Sequence, residues 1–450
     1  MIKDLTVGDS KKTLWLYCLP LLGSVFFQQL YNLADTVVAG KFIGEFALAS
    51  VGNASEITLI YLAFAMGCNI GCSVITSQLF GAKNYLGVKS AVSTAIISFT
   101  VLCLLLMTFG FTCSRPILKL INTPDSILES SMLYLNIYTA GLIFVFLYNI
   151  STGIYSALGD TLTPFIFLVF SSLSNIVVDV IFVSKLNMGV AGVAWATFLC
   201  QGLSCVLSLI VLFFRLKSIK VEGKVKIFSF KIFKKLCIVA IPSILQQSCI
   251  SIGNIIIQAV INIFGEFVIA AYTAGIKLVS IATNTFMAMA SGVSSFVAQN
   301  IGAKKLERVK DGFKYGNILN FIIALVLFLI YTIFAKFFIG IFLDSTANSY
   351  TLETGVKMLR IISPFFLIVC IKITTDGVLR GSGAMKLFMV TTFTDLLIRV
   401  IFVYIFAYKV GLDAIWFSWA IGWGLGAVAG LAFYFTGLWR KNLINMDNVN

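Results

Sequence analysis

Three carboxylates stand inside apolar stretches of the first half of this chain: Asp35, Glu56 and Asp179. An ionisable side chain at the centre of a membrane helix costs on the order of 3 kcal/mol, so each one needs a partner or a task. On a helix the neighbours three and four residues away are Tyr31, Asn32, Val38 and Ala39 around Asp35. They are Asn175, Ile176, Phe182 and Val183 around Asp179, and Gly52, Asn53, Leu59 and Ile60 around Glu56. No positive charge occurs in any of the three sets. Desolvation works against the charged form of a carboxylate, so reversible protonation is the chemistry these residues offer. A bound cation would compete for the same charge. Sodium is the alternative occupant of Asp35 and Asp179, because carboxylate and amide oxygens suit a hard ion. Gln28, Asn32 and Asp35 form one stripe of a helix, and Asn175 lies one turn before Asp179.

The second half treats its charges differently. Lys372 and Asp376 are four residues apart, and so are Asp395 and Arg399, the spacing at which a helix brings two side chains together. Each acid there is expected to be neutralised on its own helix, as a structural fastening. Lys277 stands alone and reads as structural as well, with Glu56 as a candidate partner. The first half is therefore expected to hold the site for protons or cations.

The elements that carry these residues follow from composition. Hydrophobic residues make up 59% of 450 positions and charged residues 12%, too few to coat a water-soluble globule of this length. Apolar runs of the roughly 20 residues needed to cross about 30 Å of hydrocarbon recur along the whole chain. Twelve spans are predicted, the first over 14–39, the tenth over 357–380 and the last over 412–436. The fold class is an all-α polytopic membrane protein. The net charge of +14 raises the question of nucleic acid, but Lys and Arg gather in alternate loops, as the positive-inside rule requires. That pattern excludes nucleic acid as a partner and puts both termini in the cytoplasm of a multi-pass protein of the cell (inner or plasma) membrane. The first span has no cleavage signature and reads as a retained helix. Ten cysteines without paired ligand spacing, and no histidine, point to buried thiols rather than a metal site. An enzyme is not expected: there is no phosphate-binding loop and no histidine to activate a nucleophile.

The chain is also a duplication. "FIGEFALASVG" and "SQLFGAKN" in the first half return as "IFGEFVIAAYT" and "AQNIGAKK" in the second, at a constant offset of 221 that carries Gly44 onto Gly265 and Gln78 onto Gln299. Six spans per repeat, an even number, give both copies the same orientation. The domains are 1–214, a basic cytoplasmic linker over 215–236 with eight bases and one acid, and 237–450. Pro20 and Pro242 occupy matching places near the starts of the first and seventh spans. Either they bend those helices or they sit in the first turn, where a proline costs little.

Taken together, "LPLLGSVFFQQLYNLADTVVAG", "SQLFGAKN", "ALGDTLTPF", "SNIVVDVIFV", "GVAGVAWAT", "AQNIGAKK" and "VLRGSGAMK" resemble the multidrug and toxic compound extrusion (MATE) family of secondary transporters. The resemblance implies twelve helices in two pseudo-symmetric six-helix bundles around a central cleft. It also implies export of organic, often cationic, compounds by alternating access, coupled to proton or sodium influx. The working unit would be a monomer without a cofactor, in the lipid bilayer, with small organic cations as partners. Residue by residue, the family's coupling acid in the first helix resembles Asp35, and its fifth-helix Asn and Asp resemble Asn175 and Asp179. Thr197 and Gln28 match accompanying polar positions. Tyr31, Asn32 and Glu56 are candidates for substrate contact with Gln28. The seventh helix departs from members that carry an acid there: it offers Gln246, Gln247 and Asn254. Ser156 stands where the second half has Arg380. The competing reading is a lipid-linked saccharide flippase of the same superfamily, which would need several bases for a pyrophosphate.

Overall fold

The computed structural model of the chain describes residues 2–38, 45–343, 348–441 and 443, with the backbone alone at 32–38, 45–49 and 56. Its first half is α1 (Ser10–Val38), α2 (Glu45–Gly81), α3 (Tyr85–Leu120), α4 (Asp125–Ala157), α5 (Leu162–Val180) and α6 (Gly189–Ser218). The second half is α7 (Phe230–Ile261), α8 (Glu266–Gly302), α9 (Leu306–Ile333), the short α10 (Ala335–Ile341), α11 (Ser349–Ile362), α12 (Phe366–Ser382), α13 (Met385–Val410), α14 (Leu412–Phe435) and the single-turn α15 (Leu438–Lys441). Eleven helices among the described residues are long and apolar enough to cross a membrane. The tenth expected span, 357–380, is not one of them. A turn of 3-10 helix at Ser363–Phe365 divides it between α11 and α12. Pro364 has no amide donor and its ring crowds the preceding turn, so an unbroken α-helix cannot pass through it cheaply.

Two compact units form. One holds Leu19–Ile244 with the described N-terminal residues through Asp4; the other holds Leu5–Cys18 and the described residues between 245 and 443. The first turns of α1 thus belong to the second unit, where the Trp15 indole donates to the carbonyl of Tyr315 at 3.2 Å. The first turns of α7 belong to the first unit, where Ala240 and Ile244 pack on Gly71 and Gly67 of α2. Pro20 and Pro242 lie inside these helices, not in their first turns, and beside the points where each helix passes from one unit to the other. The first-turn reading of both prolines is therefore corrected.

The duplication survives at the level of backbone geometry. α2 and α8 both end in a left-handed residue, Lys83 at φ 59° and its counterpart Lys304 at φ 58°. In both, the next amide closes the turn, Asn84 onto Leu79 at 3.0 Å and Lys305 onto Asn300 at 2.8 Å. Without a hydrophobic drive between helices in lipid, such bundles rely on small residues for close packing. A Cβ on Gly153 of α4 would stand 2.5 Å from the carbonyl of Asn69 on α2. A Cβ on Gly377 of α12 would stand 2.6 Å from that of Ala290 on α8, and Ala290 is 221 residues after Asn69. The same backbone-to-backbone crossing is built twice. In the first unit α4 packs on α2, α3 and α6; in the second, α12 packs on α8, α9 and α14. Phe286, Phe366 and Trp416 fill the core of the second unit.

Candidate functional site

Within the first unit, α1, α5 and α6 carry four of the residues singled out from the sequence. Gly23 of α1 lets the Phe165 ring of α5 come so close that a Cβ there would be 2.7 Å away. Phe27 adds an edge-to-face contact with the same ring, centroids 5.9 Å apart. One turn further along α1, the Tyr31 hydroxyl lies 3.4 Å from the Thr197 hydroxyl of α6. Asn175 and Asp179 share a face of α5 and are 2% and 0% exposed. Gln28 is exposed and Thr197 half-buried. The side chains of Asn32, Asp35 and Glu56 lie outside the described residues.

Just after Asp179, α5 widens into a turn of π-helix at Ile181–Lys185, where the amide of Leu186 reaches the carbonyl of Ile181 at 3.1 Å. Such single π turns often mark functional sites, because the extra residue rotates the side chains on either side of it. The apolar pattern of "VIFV" carries no sign of it. α5 thus carries a buried carboxylate and a buried amide one turn apart, groups able to hold a proton or to offer hard oxygen ligands, while the two hydroxyls meet between α1 and α6.

The charges of the second unit are arranged differently from the expectation. Lys372 reaches Asp376 at 2.9 Å, as its spacing implied, but also Asp395 on α13 at 3.3 Å. Thr391 donates to the other oxygen of Asp376 at 2.7 Å. The expected pair of Asp395 with Arg399 does not form. The reason is tertiary: α14 presents Gly422 and Gly426 to α12 and α13, and a Cβ on Gly426 would be 3.2 Å from the Lys372 stem and 3.3 Å from Asp395. The helices therefore approach closely enough for Lys372 to take Asp395. Arg399 lies instead over the Trp419 ring, 4.2 Å from its centroid. Lys277 lies over Phe342 at 5.5 Å.

Removing one member of a buried ion pair leaves the other's charge uncompensated, at a cost of about 3–5 kcal/mol. Lys372→Met strands two carboxylates at once, so the purified variant is expected to melt well below the parent in detergent. An unchanged melting curve would show that the ammonium does not hold α12 to α13.

Comparison with known proteins places the chain among transporters. The MatE family model matches residues 20–181 and 242–405. The probable multidrug resistance protein YpnP of Bacillus subtilis is 28% identical over 97% of both chains. YoeA of the same organism, also named a probable multidrug resistance protein, is 26% identical over 77% of both. Among solved structures, a MOP superfamily transporter from Pyrococcus furiosus, described as having a binding pocket of reverse polarity, superposes with a TM-score of 0.91 over 97% of both chains at 24% identity.

Proposed function

Because the chain belongs to the MatE family of membrane transporters, we propose that it is a secondary antiporter that exports organic, often cationic, drugs or toxic compounds in exchange for protons or sodium. It is a multi-pass membrane protein and not an enzyme, and transporters of this family need no cofactor. The observation that carries the reading is the complete burial of Asp179 beside Asn175 on a membrane helix. A carboxylate at that depth is costly to keep charged, and a proton, a sodium ion or a cationic substrate that meets its charge in turn lowers the cost. Mutual exclusion on one carboxylate, combined with alternating access, produces exchange.

In this scheme Asp35 and Asp179 carry the coupling ion, and sodium, where it couples, binds at these two carboxylates. Asn175 and Thr197 assist, and Gln28, Tyr31, Asn32 and Glu56 contact the substrate. The protein works as a monomer in the cell membrane with both termini in the cytoplasm. The names of YpnP and YoeA support the multidrug substrate range.

The test is uptake of a fluorescent organic cation into proteoliposomes under an imposed pH gradient and, separately, a sodium gradient. One gradient is expected to drive transport several-fold above the gradient-free rate. Transport driven by neither would end the antiport reading.

A further inference from the structure

The basic segment between α6 and α7 is fastened to the first unit along its length. The amide of Lys226 donates to the Ser90 hydroxyl at 3.1 Å, and the Ser93 hydroxyl donates to the carbonyl of Lys226 at 3.3 Å. Three residues on, the amide of Ser229 donates to the Thr94 hydroxyl at 3.0 Å. Ser90, Ser93 and Thr94 share one face of α3, which thereby offers the segment a polar rail. Ser229 and Ile232 are buried, whereas Lys226, Lys231 and Lys234 are exposed.

Of the eight bases in 215–236, Arg215 pairs with the buried Asp160 at 3.4 Å and Lys235 is half-buried. The other six, Lys217, Lys220, Lys224, Lys226, Lys231 and Lys234, are exposed and take part in none of the ion pairs found among the described residues. Large apolar side chains stand among them. Ile227 is 74% and Phe230 71% exposed, and Phe213 and Phe214 are exposed where α6 nears its basic last turn. Phe233 braces Phe228 and Phe230, its ring centroid 6.0 Å from each. Facing water, so much apolar surface is costly; lysines interleaved with apolar side chains suit instead the boundary between lipid headgroups and acyl chains.

We propose that the segment 217–234 binds anionic phospholipid in the leaflet it faces, the cytoplasmic one in the orientation given above. Phosphate groups sit among the six lysines, and Ile227 and Phe230 enter the top of the acyl region. The positive-inside rule accounts for bases on this side of the membrane, but not for apolar side chains exposed among them or for the fastening to α3. A soluble polyanion or an acidic protein segment would meet the lysines and leave Ile227 and Phe230 in water. An anionic phospholipid satisfies both. The segment runs directly into α7, whose first turns pack on α2, so bound lipid also steadies the entry of that helix. Lipid binding of this kind is independent of which compound or ion is transported.

The experiment follows the melting temperature of the full-length protein in neutral detergent as phosphatidylglycerol, or phosphatidylcholine with the same acyl chains, is added. A ligand that binds the folded state raises that temperature, so phosphatidylglycerol is expected to stabilise the parent by several degrees and phosphatidylcholine by much less. A variant combining Lys224→Gln, Lys226→Gln, Lys231→Gln and Lys234→Gln is expected to need about tenfold more phosphatidylglycerol for the same rise. A matched variant that neutralises four exposed lysines of the second unit, Lys336, Lys386, Lys409 and Lys441, is expected to stay within about twofold of the parent. Equal loss in both variants, or loss in neither, overturns the proposal. So does equal stabilisation by glycerol phosphate, which has the headgroup chemistry without acyl chains and would make the occupant a soluble anion. If the first variant melts early without lipid, salt takes its place: about 0.5 M potassium chloride screens exposed charges and is expected to weaken the effect of phosphatidylglycerol on the parent. An effect that salt leaves unchanged overturns the proposal as well.

Discussion

Asp179→Asn is expected to abolish gradient-driven export while the variant reaches the membrane in normal amount. The substitution keeps the size and one acceptor oxygen of the side chain, replaces the other oxygen by an NH2 donor and removes its ability to carry charge or a titrating proton. Asp179 is fully buried one turn beyond Asn175, just before the π turn that ends α5, so solvent cannot substitute for the lost function. If proton or sodium and substrate exchange on this carboxylate, a permanently neutral amide can bind neither in turn, and the rate should fall to the background of empty vesicles. Asp35→Asn is expected to behave in the same way. The decisive readings are transport under the pH and sodium gradients and the melting curve of the purified protein. Lost transport with an unchanged melting curve supports coupling. Lost transport with a large drop in melting temperature would make Asp179 a fastener, and full transport would remove it from the mechanism.

A large effect on stability is expected from Gly377→Val. A Cβ at this position meets the carbonyl oxygen of Ala290 at 2.6 Å and its carbonyl carbon at 3.2 Å, and both belong to backbone that no rotamer change can move. α12 would have to withdraw from α8, loosening a central contact of the second unit. Overpacking a well-packed core typically costs about 1–3 kcal/mol where side chains can yield, so a clash with helix backbone should exceed that. Gly153→Val should do the same to the first unit, where the carbonyl of Asn69 lies at 2.5 Å. Size-exclusion profiles and melting curves in detergent report the outcome. Gly424→Ala is the control: nothing lies within 4 Å of a Cβ there, and alanine should stabilise α14 by about 0.5–1 kcal/mol. Normal stability of Gly377→Val would mean that close approach of α12 to α8 is not what holds the unit together.

Much of this protein is set out along its sequence. Membrane embedding, the duplication at an offset of 221 and the acids set in apolar stretches of the first half are all local in origin: hydropathy over one span, identity between two segments, one charge among apolar neighbours. The pairing of Lys372 with Asp376 belongs to the same group, because four residues of one helix suffice to produce it. What depends on a second or third helix could not be read in that way. Whether Asp395 meets Arg399 or Lys372 is decided by how closely the glycines of α14 let α12 and α13 approach, and neighbours in space won over neighbours in sequence. The π turn after Asp179 and the passage of α1 and α7 from one unit to the other are likewise outcomes of packing, whereas the division of the tenth span has a local cause in Pro364 that hydropathy alone overlooks. Hydropathy records that a residue is apolar and not which helix covers it, so it could place charges in the membrane but could not choose their partners.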